Sequence, residues 1–270
     1  MKMKTPNLLA TMLLTMLIVV SCKQKKENTE QAEEQVPVQT EQPKITLEKL
    51  GGSPAYAYAV LQLEVPKSMT IAKGGEVDFI FTMNNYELGA QTEGPNAERL
   101  ANSGKGQHIH FILNNQPYSA HYEPAFAKEI PDGVHHLVAF LSRSYHESVK
   151  NENSVVVKKL EIGPNAMDSL GLDMEAPTLI YSRPKGTYTG KDTENLLLDF
   201  FVLNTTLSED GNKVKATVNG EEFMISEWAP HVLKGLPMGE VTISLELVDA
   251  EGNLIPGPFN KVTRTVTLTE

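Results

Sequence analysis

Two stretches decide the fold when laid side by side: His108-Ile109-His110-Phe111-Ile112-Leu113-Asn114-Asn115 and Lys213-Val214-Lys215-Ala216-Thr217-Val218-Asn219-Gly220. Each alternates outward and inward side chains with the period of two that a half-buried strand requires, and each ends in an Asn turn. The correspondence continues on both sides. Ile130-Pro131-Asp132-Gly133 lines up with Leu236-Pro237-Met238-Gly239 downstream. Upstream, Val65-Pro66-Lys67 leading to Val77-Asp78-Phe79 lines up with Arg183-Pro184-Lys185 leading to Leu198-Asp199-Phe200.

The same order of strands and turns therefore occurs twice, in copies of roughly 100 residues. Other segments share the period: Ala57, Ala59, Leu61, Leu63 and Val65 alternate with Tyr58, Val60, Gln62 and Glu64, and Val77, Phe79 and Phe81 with Asp78 and Ile80. Long helical periodicity is absent. The expected architecture is all-β, two tandem immunoglobulin-like β-sandwich domains over residues 45–165 and 175–270. The boundary is expected at residues 163–175, where Gly171 and Pro177 suit a linker and residues 166–172 suit a short helical turn.

The N-terminus is different in kind. Lys2 and Lys4 precede an apolar run from Leu8 to Val20, shorter than the about 20 residues that a membrane-spanning helix needs. The run ends in Val19-Val20-Ser21-Cys22, which resembles the bacterial lipobox. That resemblance implies a lipoprotein signal peptide over 1–21, cleavage before Cys22, lipid on that cysteine, and a chain anchored in the bacterial cell envelope; it does not separate the two membranes, of which the outer is the expected one. Residues 22–44 are rich in Glu, Gln, Lys, Thr and Pro and read as a flexible tether.

Cys22 is the single cysteine, so no internal disulfide and no thiolate metal cluster can form. The 270 residues, 40% of them hydrophobic, must be held by apolar cores. The formal net charge of −10 becomes −12 once Lys2 and Lys4 leave with the leader, which argues against nucleic acid as a partner. Membrane lipid through Cys22, and a peptide or envelope protein, are the partners that remain.

Aligning the copies separates what the fold needs from what it does not. Six of the seven histidines, His108, His110, His121, His135, His136 and His146, lie in the first copy. His108 and His110 stand where the second copy has Lys213 and Lys215, and His146 stands where it has Gly252. A site, if there is one, belongs to the first copy. His108 and His110 lie two apart on a strand and so share a face, with Cα atoms about 7 Å apart. Pairing this strand antiparallel with residues 134–142, so that Ile109, Phe111 and Leu113 share a face with Leu141, Ala139 and Leu137, sets Ser142 and Phe140 opposite His108 and His110. His146 then falls at the same end and face, and the three imidazoles suit copper or zinc. The alternative is that His108 and His110 are polar residues on a solvated face. His135 has the parity of the core residues and reads as a cap on the core edge, while His136 points outward.

A second candidate site is for an anion. Lys105, Arg143, Ser142 and Ser144 are expected at one end of the first copy, where cations and hydroxyls suit a phosphate or carboxylate. Enzyme signatures are missing: there is no Gly-x-Ser-x-Gly elbow, no phosphate loop and no His-Glu-x-x-His helix, so no catalysis is expected.

Several long motifs carry a family resemblance: residues 100–110 (LANSGKGQHIH), Tyr118-Ser119-Ala120-His121-Tyr122, residues 139–150 (AFLSRSYHESVK) and residues 181–186 (YSRPKG). They resemble a family of Gram-negative bacterial lipoproteins often labelled phosphopeptide-binding proteins. The resemblance covers nearly all of the mature chain; its label implies a binding protein for phosphorylated peptide groups, and it supplies no catalytic residues to carry over. Three readings stay open: a binder of anionic or phosphorylated peptide groups, a copper or zinc binder, and a structural envelope adaptor.

Overall fold

The computed structural model describes residues 44–270. The expected leader, the lipidated Cys22 and all of the tether but Lys44 lie outside the described residues. Seventeen strands, the short helix α1 (Asn96–Arg99) and two single 3-10 turns form two β-sandwiches.

The first sandwich packs β2 (Val60–Val65), β4 (Gly75–Asn84) and β7 (Ala125–Ile130), in that order, on a five-stranded sheet. That sheet has the order β3 (Thr70–Ile71), β9 (Val155–Ile162), β8 (Gly133–Ser142), β5 (His108–Leu113) and β6 (Ser119–His121). The second sandwich repeats the plan. Its larger sheet runs β11 (Thr187–Thr189), β17 (Lys261–Thr269), β16 (Gly239–Val248), β13 (Lys213–Val218) and β14 (Glu221–Ile225). Its smaller sheet contains β10 (Thr178–Arg183), β12 (Leu196–Leu203) and β15 (His231–Lys234).

The Asn turns show how close the repetition is. In the first copy Asn114 accepts the His136 N–H with its side chain and donates its own N–H to the His136 carbonyl. Asn219 does both with Thr242. Asn114, Asn115 and Asn219 all adopt the left-handed conformation that Asn tolerates better than most residues.

Each sandwich has its own core, filled by the inward parity of its strands. Ile109, Phe111, Leu137, Ala139 and Leu141 meet Leu61, Val77, Phe79 and Phe81 in the first. Val214, Ala216, Val218, Ile243 and Leu245 meet Leu179, Leu198 and Phe200 in the second.

Two features depart from the expected boundaries. Residues 46–49, assigned by sequence to the first domain, form strand β1 (Thr46–Lys49), which pairs with β15 at the edge of the second sandwich. Residues 166–172 form no helical turn: the Asp168 carboxylate instead accepts the Leu172 N–H and an ion pair from Lys159.

The sandwiches are not beads on a linker, because the described residues, 44–270, fall in one compact unit. A third apolar cluster joins them, with Ile112, Tyr118, Val138 and Phe140 of the first against Ile180 and Phe201 of the second. The Phe140 and Phe201 rings lie 4.6 Å apart. Polar ties flank the cluster: Asn115 accepts the Tyr181 N–H and donates to the Leu179 carbonyl, and buried Asp199 takes Ser148 and Lys150. Each large apolar side chain exposed by separation would cost about 1.5–3 kcal/mol, so the pair is a single cooperative body.

Candidate metal centre

Strands β5 and β8 pair with His108 opposite Ser142 and His110 opposite Phe140, the register expected from the apolar parity. The side chains of His108 and His110 therefore leave the first core, but they do not reach solvent. Both are fully buried, because β10 of the second sandwich covers that face: Ser182 Oγ lies 3.2 Å from His110 Nδ1. The reading of a solvated face is corrected by this packing between the sandwiches.

The third imidazole comes from the turn after β8. Arg143 N–H donates to the Glu147 carbonyl and His146 N–H to the Arg143 carbonyl, both at 2.9 Å, which closes a tight loop with His146 at φ +70°. A non-glycine residue in that conformation costs about 1–2 kcal/mol. The turn carries the imidazole to the end of β5, where His146 Nδ1 lies 3.1 Å from His108 Nε2. His108 Nε2 is also 3.0 Å from His110 Nε2. The three nitrogens all lie within 4.8 Å of one another.

The hydrogen bonding around His108 fixes its tautomer. Nδ1 lies 2.8 Å from the Gly106 carbonyl, which can only accept, so Nδ1 carries the proton and Nε2 presents a lone pair inward. A backbone carbonyl behind the ring is the usual support for a metal-ligating histidine. One lone pair on Nε2 faces two ring nitrogens, the arrangement in which a cation at the centre would take a lone pair from each ring. Ligands at about 2.0–2.1 Å in a tetrahedral site stand about 3.3 Å apart, so the two pairs that share His108 need to open by only a few tenths of an ångström, and the His110–His146 pair, held within 4.8 Å, must settle to the same spacing.

Burial keeps all three rings neutral, which is the ligating form. It holds His108 down to about 4 against the opposing Gly106 bond, with Arg183 and Lys185 lowering it further. It pushes His110 well below the usual histidine range, helped by His108 and His146. His146 is lowered by burial, then by Arg183 and His108.

Aromatic rings wall the centre. Tyr118 stacks on His110 at 3.5 Å and 11°, with its hydroxyl 3.2 Å from His146 Nδ1, and Tyr122 packs 4.9 Å from His108. Tyr122 also lines an open hollow with Lys105, His121 and Glu123.

The other histidines lie elsewhere. His121 stacks on Phe126 at 3.4 Å and bonds Ser119. His135 caps the core edge through Asn114 and the Pro131 carbonyl. His136, expected outward, is buried against Phe259 of the second sandwich, with its Nδ1 unpartnered.

The residues of the expected anion site do not assemble. Lys105 is exposed, over the Tyr122 ring. Arg143 is buried, paired with Glu147 at 3.0 Å and donating to the carbonyls of Ser148 and Pro54. Ser142 Oγ donates to the Arg143 carbonyl, and Ser144 Oγ accepts the Thr92 N–H. These groups hold residues 53–56 and 92 against the loop and have no free face to offer a phosphate with Lys105.

Sequence reasoning missed Ser182, Arg183, Lys185 and the wall tyrosines. Ser182, Arg183 and Lys185 arrive from the other copy across the interface; residues 181–186 also carry the family resemblance, but nothing in that motif assigns them to histidines in the first copy. Tyr118 and Tyr122 sit in a motif that carries the family resemblance, but nothing in its spacing assigns them to the histidines.

No family model and no curated protein matches the chain. Among solved structures it is similar to the fibronectin(III)-like modules of Clostridium thermocellum CbhA, at 13% identity and a TM-score of 0.27 over 78% of this chain and 94% of that one. It is also similar to a Bacteroides ovatus glucan-utilisation protein, SGBP-B, solved with a mixed-linkage heptasaccharide, at 8% and 0.25 over 77% and 70%. The central fibronectin-III array of RIM-binding protein matches at 12% and 0.25 over 78% and 69%. Likenesses of this strength carry nothing about ligand or activity.

Proposed function

We propose that this chain is a lipid-anchored protein of the bacterial cell envelope that binds a transition-metal ion, copper or zinc, through His108, His110 and His146, without catalysis. The observation that carries the reading is the convergence of three neutral imidazoles, two buried and one half-buried, around His108 Nε2, which lies 3.0 Å and 3.1 Å from its two neighbours. The anchor is Cys22, and residues 22–44 tether the sandwiches to the membrane. The metal reading is preferred to phosphopeptide binding because Arg143, Ser142 and Ser144 are engaged inside the protein.

Metal that binds the folded state alone raises stability by mass action, about 4 kcal/mol at a thousandfold excess over Kd. Thermal melts of the untagged chain lacking its leader, with Cys22→Ser to remove the thiol, test the reading. One equivalent of copper or zinc should raise Tm. His110→Ala should abolish the rise, and Lys215→Ala, at the matching position of the second sandwich, should leave it intact. A rise that survives His110→Ala, or no rise with either metal, contradicts the proposal.

A further inference from the structure

The charges around the three histidines are unusual for a divalent-metal site. No carboxylate or thiolate joins the cluster among the described residues. Arg183 and Lys185, both positive, press on all three rings. Lys185 Nζ sits 3.8 Å from the centroid of the Tyr118 ring, and Arg183 Cζ 5.3 Å from it. His110 covers one face of Tyr118 at 3.5 Å, so Lys185 must lie on the other. A cation therefore stands one tyrosine ring away from a ligand, too far to bridge an anion to the metal and close enough for its field to be felt.

A dication held by three neutral ligands would keep its full charge in a desolvated place beside two more cations. Zinc in proteins is almost always four-coordinate and would need a further ligand. Around two of the three ligands the walls leave little room for one: His108 and His110 are fully buried, with Tyr118, Tyr122 and Phe140 packed against them, and His146 is half-buried. A monovalent d10 ion avoids both penalties, because it has half the charge and is satisfied by two or three imidazoles.

Resting on the metal reading, we infer that the centre selects Cu(I), held by His108, His110 and His146 alone, over Zn(II) and Cu(II), and that Arg183 and Lys185 of the second sandwich set this selectivity. The second copy is then an electrostatic partner of the site as well as its cover. At this separation each neighbouring cation weighs against one extra unit of metal charge by about tenfold in affinity.

The test is a pair of competition titrations on the leaderless, untagged chain carrying Cys22→Ser. Cu(I) is supplied anaerobically against a chromophoric Cu(I) chelator, and Zn(II) against a fluorescent zinc chelator. Cu(I) should bind one to one and about a hundredfold more tightly than Zn(II). Lys185→Gln, at a half-buried position outside the ligand set, should narrow the ratio about tenfold, and Lys185→Glu should narrow it further. Tyr118→Phe should leave Cu(I) affinity within a few-fold. Zn(II) binding as tight as Cu(I) and dependent on His110 overturns the selectivity while sparing the metal reading. Failure of both ions to bind removes both. A ratio unmoved by either Lys185 variant overturns the electrostatic cause, and loss of Cu(I) on Tyr118→Phe would mean an oxygen ligand and a different site.

Discussion

The turn after β8 and the turn after β16 are one backbone with two chemistries. In the first, Arg143 N–H meets the Glu147 carbonyl and His146 N–H the Arg143 carbonyl; in the second, Asp249 N–H meets Asn253 and Gly252 N–H meets Asp249. Isolated bridges close both, Ser142 with Ser148 and Val248 with Leu254. The residue in the left-handed position is His146 at φ +70° in one and Gly252 at +87° in the other. Glycine meets the turn's demand without strain, so the fold has no need of an imidazole there. A residue kept where it strains the backbone is explained by what its side chain does.

The strands beneath repeat the lesson. His110 faces Phe140 under the second sandwich, whereas Lys215 faces Glu246 at 2.7 Å on a face that is part solvent. The same sheet position is an interior in one copy and a surface in the other.

The largest expected effect of that difference is on pH dependence. The folded-state pKa values of His108, His110 and His146 lie below the unfolded value near 6.5, so on acidification the unfolded chain takes up protons that the folded chain refuses. Stability present above pH 6.5 is therefore lost as pH falls toward 4, with His108 alone accounting for about 3 kcal/mol by the lower end. Urea unfolding of the metal-free chain between pH 7.5 and 4.5 measures this. A flat profile would show the rings to be solvated and the comparison wrong.

Next in size is truncation at the paired positions. Phe140 is fully buried against Phe201 and His110, and Phe140→Ala should cost about 3–5 kcal/mol in chemical denaturation. Glu246, whose lysine partners Lys215 and Lys261 are partly exposed, should cost under about 1 kcal/mol as Glu246→Ala. Equal costs would mean that the two faces are equally packed.

The smallest effect is the most specific. His146→Gly should stabilise the metal-free protein by about 1 kcal/mol, by relieving the left-handed residue, while weakening metal binding to what two imidazoles hold. Destabilisation instead would mean that the His146 ring holds the apo fold together.

Much of this was legible in the sequence because apolar parity carries it. The alternation of Ile109, Phe111, Leu137, Ala139 and Leu141 specified the β5–β8 register, and that register brought His146 to the histidine pair. Parity says only that a side chain leaves one core; it does not say what it meets next. Hence His108, His110 and His136 were assigned to solvent or left open, when the other sandwich covers all three. β1 was placed in the wrong sandwich for a related reason: Thr46–Lys49 pairs with residues 231–234, and no local signal records so distant a partner. Arg143 looked available because its partner Glu147 is brought back to it by the turn, a geometry that residue spacing in an all-β chain does not reveal.

The most direct test of the central claim is X-ray absorption spectroscopy of the chain loaded with one equivalent of copper. The account predicts a shell of three imidazole nitrogens at about 2.0 Å, reduced to two by His146→Gly, with the ring multiple-scattering signal falling in step. A spectrum dominated by oxygen, or an imidazole count unchanged by His146→Gly, would contradict it.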